Sequence, residues 1–170
     1  MNPPPNTPNA EDVIPSARGT YLLILHVADA VPDLAIGRLG TFTFAAGYYL
    51  YVGKAFGSGG LAARLKHHCR IDKPHMHWHV DYLRAAAHLC EIWSTTYPQP
   101  LETQWCQALH DAEWLTQPIP RFGASDTRNP THLFYTPTYP SLKRLSHALI
   151  TPLDLLAPEG VWQISIERLP

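Results

Sequence analysis

Residues 47–68 read GYYLYVGKAFGSGGLAARLKHH, and no other stretch constrains the chain as tightly. An aromatic and β-branched run leading into Tyr51-Val52-Gly53-Lys54 has the pattern of a strand. Gly57-Ser58-Gly59-Gly60 must end it in a turn, with Ser58 expected to cap the helix that follows. Leu61, Leu65 and His68 then fall on one helical face at i, i+4 and i+7. Arg64 and His68 are i, i+4 neighbours and can serve one site. One strand–turn–helix unit therefore gathers a tyrosine, a lysine, an arginine and a histidine. These types suit a phosphodiester: a candidate proton acceptor, two cations and a polar switch. The glycine turn lacks the Gly-Lys-Ser/Thr of a P-loop, yet it lets backbone approach a phosphate near a helix N-terminus.

The flanking sequence completes an α+β pattern. TYLLILHVA at 20–28 is a buried strand, and Gly19-Thr20-Tyr21 opens it. Residues 29–40 are broken by Pro32, Gly37 and Gly40, with Ile36 and Leu39 expected in a hairpin with TFTFAAG. A linker at Lys73-Pro74 precedes an expected helix over 77–87, a strand over 89–96 and a helix over 101–115 carried by Leu101, Trp105, Ala108, Ala112 and Leu115. A Pro/Gly/Asn-rich loop spans 117–131, a short strand 132–135, and 161–169 alternates like an edge strand. The expected architecture is a small, mostly antiparallel sheet of three strands or slightly more, flanked by helices. Residues 1–16 read as a disordered Pro/Asn-rich tail, 17–136 as the functional domain and 137–170 as an extension packed on it.

Composition narrows the partners. The chain has 170 residues, 45% of them apolar, enough for one domain with a real core. A net charge of −1 supplies no global basic field. Locally the balance differs: Arg64, Lys66, Arg70, Lys73 and Arg84 outnumber Asp72 and Asp81, and five histidines share that window. Cys69, Cys90 and Cys106 lack CxxC spacing, which argues against a zinc knuckle or a disulfide framework. With no signal-peptide pattern and no apolar run near the ~20 residues of a membrane span, the expectation is a cytoplasmic protein without a membrane partner.

Gly19-Thr20-Tyr21, Tyr51-Val52-Gly53, and Arg64 and His68 on a helix together resemble the GIY-YIG nuclease superfamily. YVGKA at 51–55 is also similar to the corresponding stretch of the nucleotide-excision-repair incision subunit. As a whole the chain most resembles an uncharacterised branch found alone or fused to endonuclease-III-type glycosylases. The resemblance runs through GTYLLIL, GYYLYVGKAFGSGGLAARLKHH, HWHVDYL, a helix begun by Glu102, and FGASD followed by THLFY, covering roughly residues 18–136. It implies a GIY-YIG-like fold and a divalent-metal-dependent endonuclease acting on DNA in repair, processing or mobile-element contexts. RNA stays open as a substrate, and a protein partner would supply target choice. By the same resemblance Tyr51 is the general base or assists it, Tyr21 supports it, Arg64 and Lys54 hold the phosphate, and His68 orients the nucleophile or relays a proton. Glu102 binds one Mg²⁺ or Mn²⁺ that neutralises the leaving oxygen. Gly53, Lys66, Arg70 and His77 fall on the substrate side. The alternative is a catalytically weak nucleic-acid-binding module of the same fold.

The chain departs from the family pattern in several places, among them a glycine-rich turn that lengthens the Lys54–Arg64 spacing and a segment after Tyr135 without a counterpart. The separation of Tyr21 and Tyr51 is longer than in many members, making 29–46 an insertion or extra hairpin. Thr127 and Asn129 stand where the branch more often has cysteines. A chemical demand is also clear. A free tyrosine has a pKa of ~10, so about one in a thousand is ionised at pH 7, and Tyr51 needs a nearby cation to act as a base.

Two other constellations compete. His75, His77, His79 and Asp81 form HxHxHxD. On a strand all four would face one side and suit a zinc hydrolase. On a helix His77 would pair with Asp81 and His75 with His79, and the segment would be a helix start packed by Trp78 and Tyr82. Ser125, Asp126 and His132 contain the types of a hydrolase triad, but without a GxSxG elbow they read as turn and capping residues.

Overall fold

The structure, a computed structural model, describes residues 16–156 and 163–170. The tail expected at 1–16 lies outside the described residues except for Ser16, as do residues 161 and 162 of the expected last strand. In chain order the elements are β1 Gly19–Val27, β2 Val31–Ile36, β3 Gly40–Phe44, β4 Gly47–Ala55, α1 Gly60–Cys69, α2 His79–Arg84, β5 His88–Thr95, α3 Glu102–His110, β6 Leu133–Thr136, α4 Leu142–Leu156 and β7 Ser165–Arg168. The main sheet has five antiparallel strands in the order β6-β4-β1-β5-β7. The segment between β1 and β4 is an extra hairpin, β2–β3, forming its own two-stranded sheet.

Strand alternation decides what covers each face. Tyr21, Leu23 and Leu25 of β1 and Tyr49 and Tyr51 of β4 pack with Leu61 and Leu65 of α1, Val80 and Leu83 of α2, and the hairpin residues Ile36 and Phe44. Leu22, Ile24, Leu50 and Val52 point the other way, onto Trp105 and Leu109 of α3 and Leu145, Leu149 and Leu153 of α4. Both faces are thus buried, and β1 lies at the centre of the sheet with nearly every side chain enclosed.

Several local expectations change. Gly59, not Ser58, precedes α1; it is left-handed (φ 82°), with no side-chain cap hydrogen bond. The helix expected over 77–87 spans only His79–Arg84, because Trp78 is extended and the Asp81 carboxylate accepts the N–H groups of His77 (2.9 Å) and Trp78 (3.0 Å). The helix expected over 101–115 ends at His110, although Leu115 still reaches the core. In the C-terminal extension, α4 carries its apolar stripe onto the main core, and β7 is an edge strand paired with β5. At the opposite edge β6 pairs with β4 only over Tyr48–Tyr51, while β4 continues to Ala55. The candidate site forms around that overhanging end.

Candidate active site

The first half of the site lies on the face covered by α1. Gly53 sits directly across from Tyr21 in the β1–β4 register. A Cβ at Gly53 would stand 2.4 Å from the Tyr21 ring and hydroxyl, so only glycine lets that ring lie across β4. Because α1 buries the face bearing Leu61, Leu65 and His68, it delivers the His68 imidazole onto the tyrosines. The Tyr21 hydroxyl and His68 Nε2 are 2.8 Å apart. The Tyr51 ring packs 6.4 Å from His68 and 6.1 Å from Phe122. Gly123, with φ +71°, passes so close that a Cβ there would lie 2.7 Å from the Tyr51 ring. One turn earlier on α1, Arg64 lays its guanidinium 4.1 Å over the Trp78 ring, and its positive charge favours the ionised form of Tyr21.

The second half lies on the other face. Lys54 follows Gly53 on β4 and, by alternation, points toward α3. Its Nζ donates to Glu102 Oε2 at 2.8 Å. Glu102 is held by the start of α3, where the Thr20 hydroxyl accepts the Leu101 N–H at 2.9 Å. Thus β1 contributes Tyr21 to one half and, one residue earlier, the anchor of Glu102 to the other.

His132 joins the halves. Immediately before β6, its carbonyl accepts the Val52 N–H at 3.0 Å, tying it to the end of β4. Its ring lies 6.4 Å from that of Tyr51, and its Nδ1 is 3.5 Å from Glu102 Oε1. Nε2 is 3.0 Å from both Thr127 Oγ1 and Asn129 Nδ2. Thr127 and Asn129 therefore hold a histidine, a role open to hydroxyl and amide side chains.

Burial governs the electrostatics. It raises the pKa of Tyr21 and Tyr51 well above the usual phenol range, and Arg64 only partly opposes this for each. Tyr51 is therefore a protonated phenol in the resting protein. Burial lowers His68 to about 4 despite the opposing effect of Asp81, leaving the imidazole neutral at pH 7. It also lowers His132. Asp81, fully enclosed, is held well below the carboxylate range because hydrogen bonds and charge outweigh its own desolvation. Those partners include Lys73 Nζ at 2.6 Å and the two backbone N–H groups that cap α2. Among the described residues, two buried side-chain nitrogens lack a hydrogen-bond partner: His68 Nδ1 and His132 Nδ1. Each faces a carboxylate, Asp81 at 3.8 Å and Glu102 at 3.5 Å.

Tyr21, Tyr51, Lys54, Arg64, His68 and Glu102 thus lie around the end of β4. Gly53 serves there as the space for Tyr21. Lys66 and Arg70 stand exposed, outside the buried cluster, on α1 and at its C-cap. His77 is exposed, with its ring edge-on to Trp78 at 4.5 Å. A cavity of about 290 Å³ lined by Gly57, Ser58, Arg64 and His67 shares Trp78 as a wall with one of about 270 Å³ lined by His77, His79 and Asp126. The HxHxHxD run does not assemble a metal centre. Asp81 is committed to Lys73 and the α2 cap, and His79 Nδ1 accepts the Gly123 N–H at 3.0 Å. Among the described residues no group of three or more His, Cys, Asp or Glu side chains is arranged to hold an ion. Sequence reasoning raised Asp81 only within the HxHxHxD run, Trp78 only as helix packing and His132 only as a turn residue; the structure puts all three at the site. The signal for His132 was its position at the mouth of a short strand predicted to join the sheet.

The fold and site define an α+β domain whose polar cluster wraps the end of β4 that extends beyond β6. The chain belongs to the family described as Domain of unknown function DUF123, whose model matches residues 20–154. No curated protein and no solved structure matches it. Among the described residues, no helix is long and apolar enough to cross a membrane.

Proposed function

We propose that the protein is a divalent-metal-dependent endonuclease of the GIY-YIG type, hydrolysing phosphodiester bonds in DNA. The carrying observation is the junction at Tyr51. On one side stand Tyr21, His68 and Arg64, on the other the Lys54–Glu102 pair, and His132 touches both. Phosphoryl transfer needs positioning and charge stabilisation above all, and this set supplies both. Arg64, oriented by Trp78, binds non-bridging phosphate oxygens, and Lys54 adds a second cation. Lys66 and Arg70 extend the positive surface toward flanking phosphates.

Glu102 offers a single carboxylate. Mg²⁺ commonly takes one or two carboxylates from a protein and completes its shell with phosphate oxygens and water, so the donor set fits Mg²⁺ or Mn²⁺ arriving with substrate. When bound, the ion neutralises charge on the leaving oxygen. Proton traffic is left to the side chains. His68 is neutral and can accept a proton at pH 7, whereas the buried Tyr51 phenol acts as a hydrogen-bond donor until substrate and cations change its surroundings. That protonated state also supports a second reading, a binding module of the same fold with weak catalysis. The context of repair, DNA processing or a mobile element, and a partner that selects the target, belong to the same proposal.

The test is cleavage of branched, nicked and plain DNA duplexes with Mg²⁺ or Mn²⁺, comparing wild type with Tyr51→Phe, Arg64→Ala and Glu102→Ala. Metal-dependent cleavage lost in all three supports the nuclease. Salt-sensitive binding without cleavage, unchanged by Glu102→Ala, supports the binding module.

A further inference from the structure

Asp81 lies outside the set that would touch substrate, yet it is linked to Arg64 by two routes. Its Oδ2 accepts the Trp78 backbone N–H at 3.0 Å, fixing the residue whose ring carries the Arg64 guanidinium at 4.1 Å. Its Oδ1 lies 3.8 Å from His68 Nδ1, while His68 Nε2 meets the Tyr21 hydroxyl at 2.8 Å, and the Arg64 charge acts on Tyr21 in turn. We propose that Asp81 is a positioning residue that holds His68 as the Nδ1-protonated tautomer and, through Tyr21 and Trp78, sets the orientation of the Arg64 guanidinium.

Electrostatics gives the direction. A neutral imidazole carries one N–H. Placed on Nδ1, it points its positive end at the enclosed Asp81 carboxylate. Placed on Nε2, it would leave the Nδ1 lone pair facing that carboxylate with no other partner. Nδ1 protonation makes Nε2 an acceptor, so Tyr21 donates its proton to His68 and turns its oxygen lone pairs toward Arg64, which can only donate. Among the described residues, the groups facing His68 are His67 of α1, Tyr21 of β1, Tyr51 of β4, Lys73 and Trp78 of the segment before α2, and Asp81 of α2. Asp81 is the only carboxylate among them. Lys73 Nζ, 2.6 Å from its Oδ1, favours its ionised form.

The tautomer is independent of any activity, whereas its catalytic consequence rests on the nuclease reading. Long-range ¹H–¹⁵N NMR of histidine-labelled full-length protein at pH 7 reads it directly. The expected result is the Nδ1–H form in wild type, retained in Tyr21→Phe and lost or mixed in Asp81→Asn. An Nε2–H form in wild type, or reversal in Tyr21→Phe, overturns the proposal. Should Asp81→Asn fail to fold, the other two samples decide it. In the cleavage assay Asp81→Asn should lower kcat about 10²-fold, the scale of a misplaced catalytic group, with KM little changed. A kcat equal to wild type in folded Asp81→Asn overturns the Arg64 half. A wild type without cleavage removes the nuclease reading and leaves the tautomer result standing.

Discussion

At the scale of single residues, the site depends on side chains kept in states that solvent would not favour. His68 is the clearest case. Its folded pKa of about 4 lies below the ordinary histidine value of ~6.5, because burial disfavours the charged ring. Between those values the unfolded chain binds a proton that the native protein does not. Stability from this group is fully present above ~6.5 and is lost as pH falls toward about 4, with a limiting slope of about one proton. His132 and His79 are lowered by burial as well and add in the same direction. Asp81 acts in a more acidic range, since its carboxylate is held below the usual value. Thermal unfolding followed from pH 8 to pH 4 should show this loss, and His68→Gln should flatten it by about one proton. An unchanged slope in that variant would assign the acid sensitivity elsewhere.

At the scale of elements, the site follows from where β1, β4, α1 and α3 begin and end. Thr20 illustrates the dependence. Its hydroxyl takes the Leu101 N–H at the start of α3, a donor with no side-chain cap of the helix's own. Thr20→Val should leave that buried N–H unsatisfied and cost about 1–3 kcal/mol. It should also loosen Glu102 and depress metal-dependent cleavage more than mutation at exposed Thr103. Denaturant unfolding and cleavage rates together check this. The strand–turn–helix of 47–68 was legible because alternation and i, i+4 spacing are local signals, and they correctly placed Tyr51, Arg64 and His68 together. The reach of α2 and α3 was misjudged: the Asp81 side chain caps α2 at a point apolar periodicity does not mark, and Leu115 belongs to the core without belonging to the helix. His132 was read as a turn residue because its partners, Glu102 and Tyr51, lie thirty and eighty-one positions upstream. Only the pairing of β6 with β4 brings them together.

At the scale of the whole molecule, the sheet separates two half-sites and its free edge reunites them. Tyr21, Tyr51, His68 and Arg64 gather on the α1 face, Lys54 and Glu102 on the α3 face, and His132 bridges them where β4 extends beyond β6. With a net charge of −1 the molecule exerts little long-range attraction on nucleic acid, so the proposed nuclease would rely on this local arrangement and the exposed Lys66 and Arg70 for recognition. Both faces are proposed to form one phosphodiester-cleaving centre. This is tested most directly by single-turnover DNA cleavage in Mg²⁺ for wild type, Tyr21→Phe, Lys54→Met and the double variant. Residues acting as a unit are non-additive. Wild type should cleave, each single variant should be slower, and the double variant should lose less than the product of the two losses. Strictly multiplicative losses, or a wild type that does not cleave, would contradict a single centre.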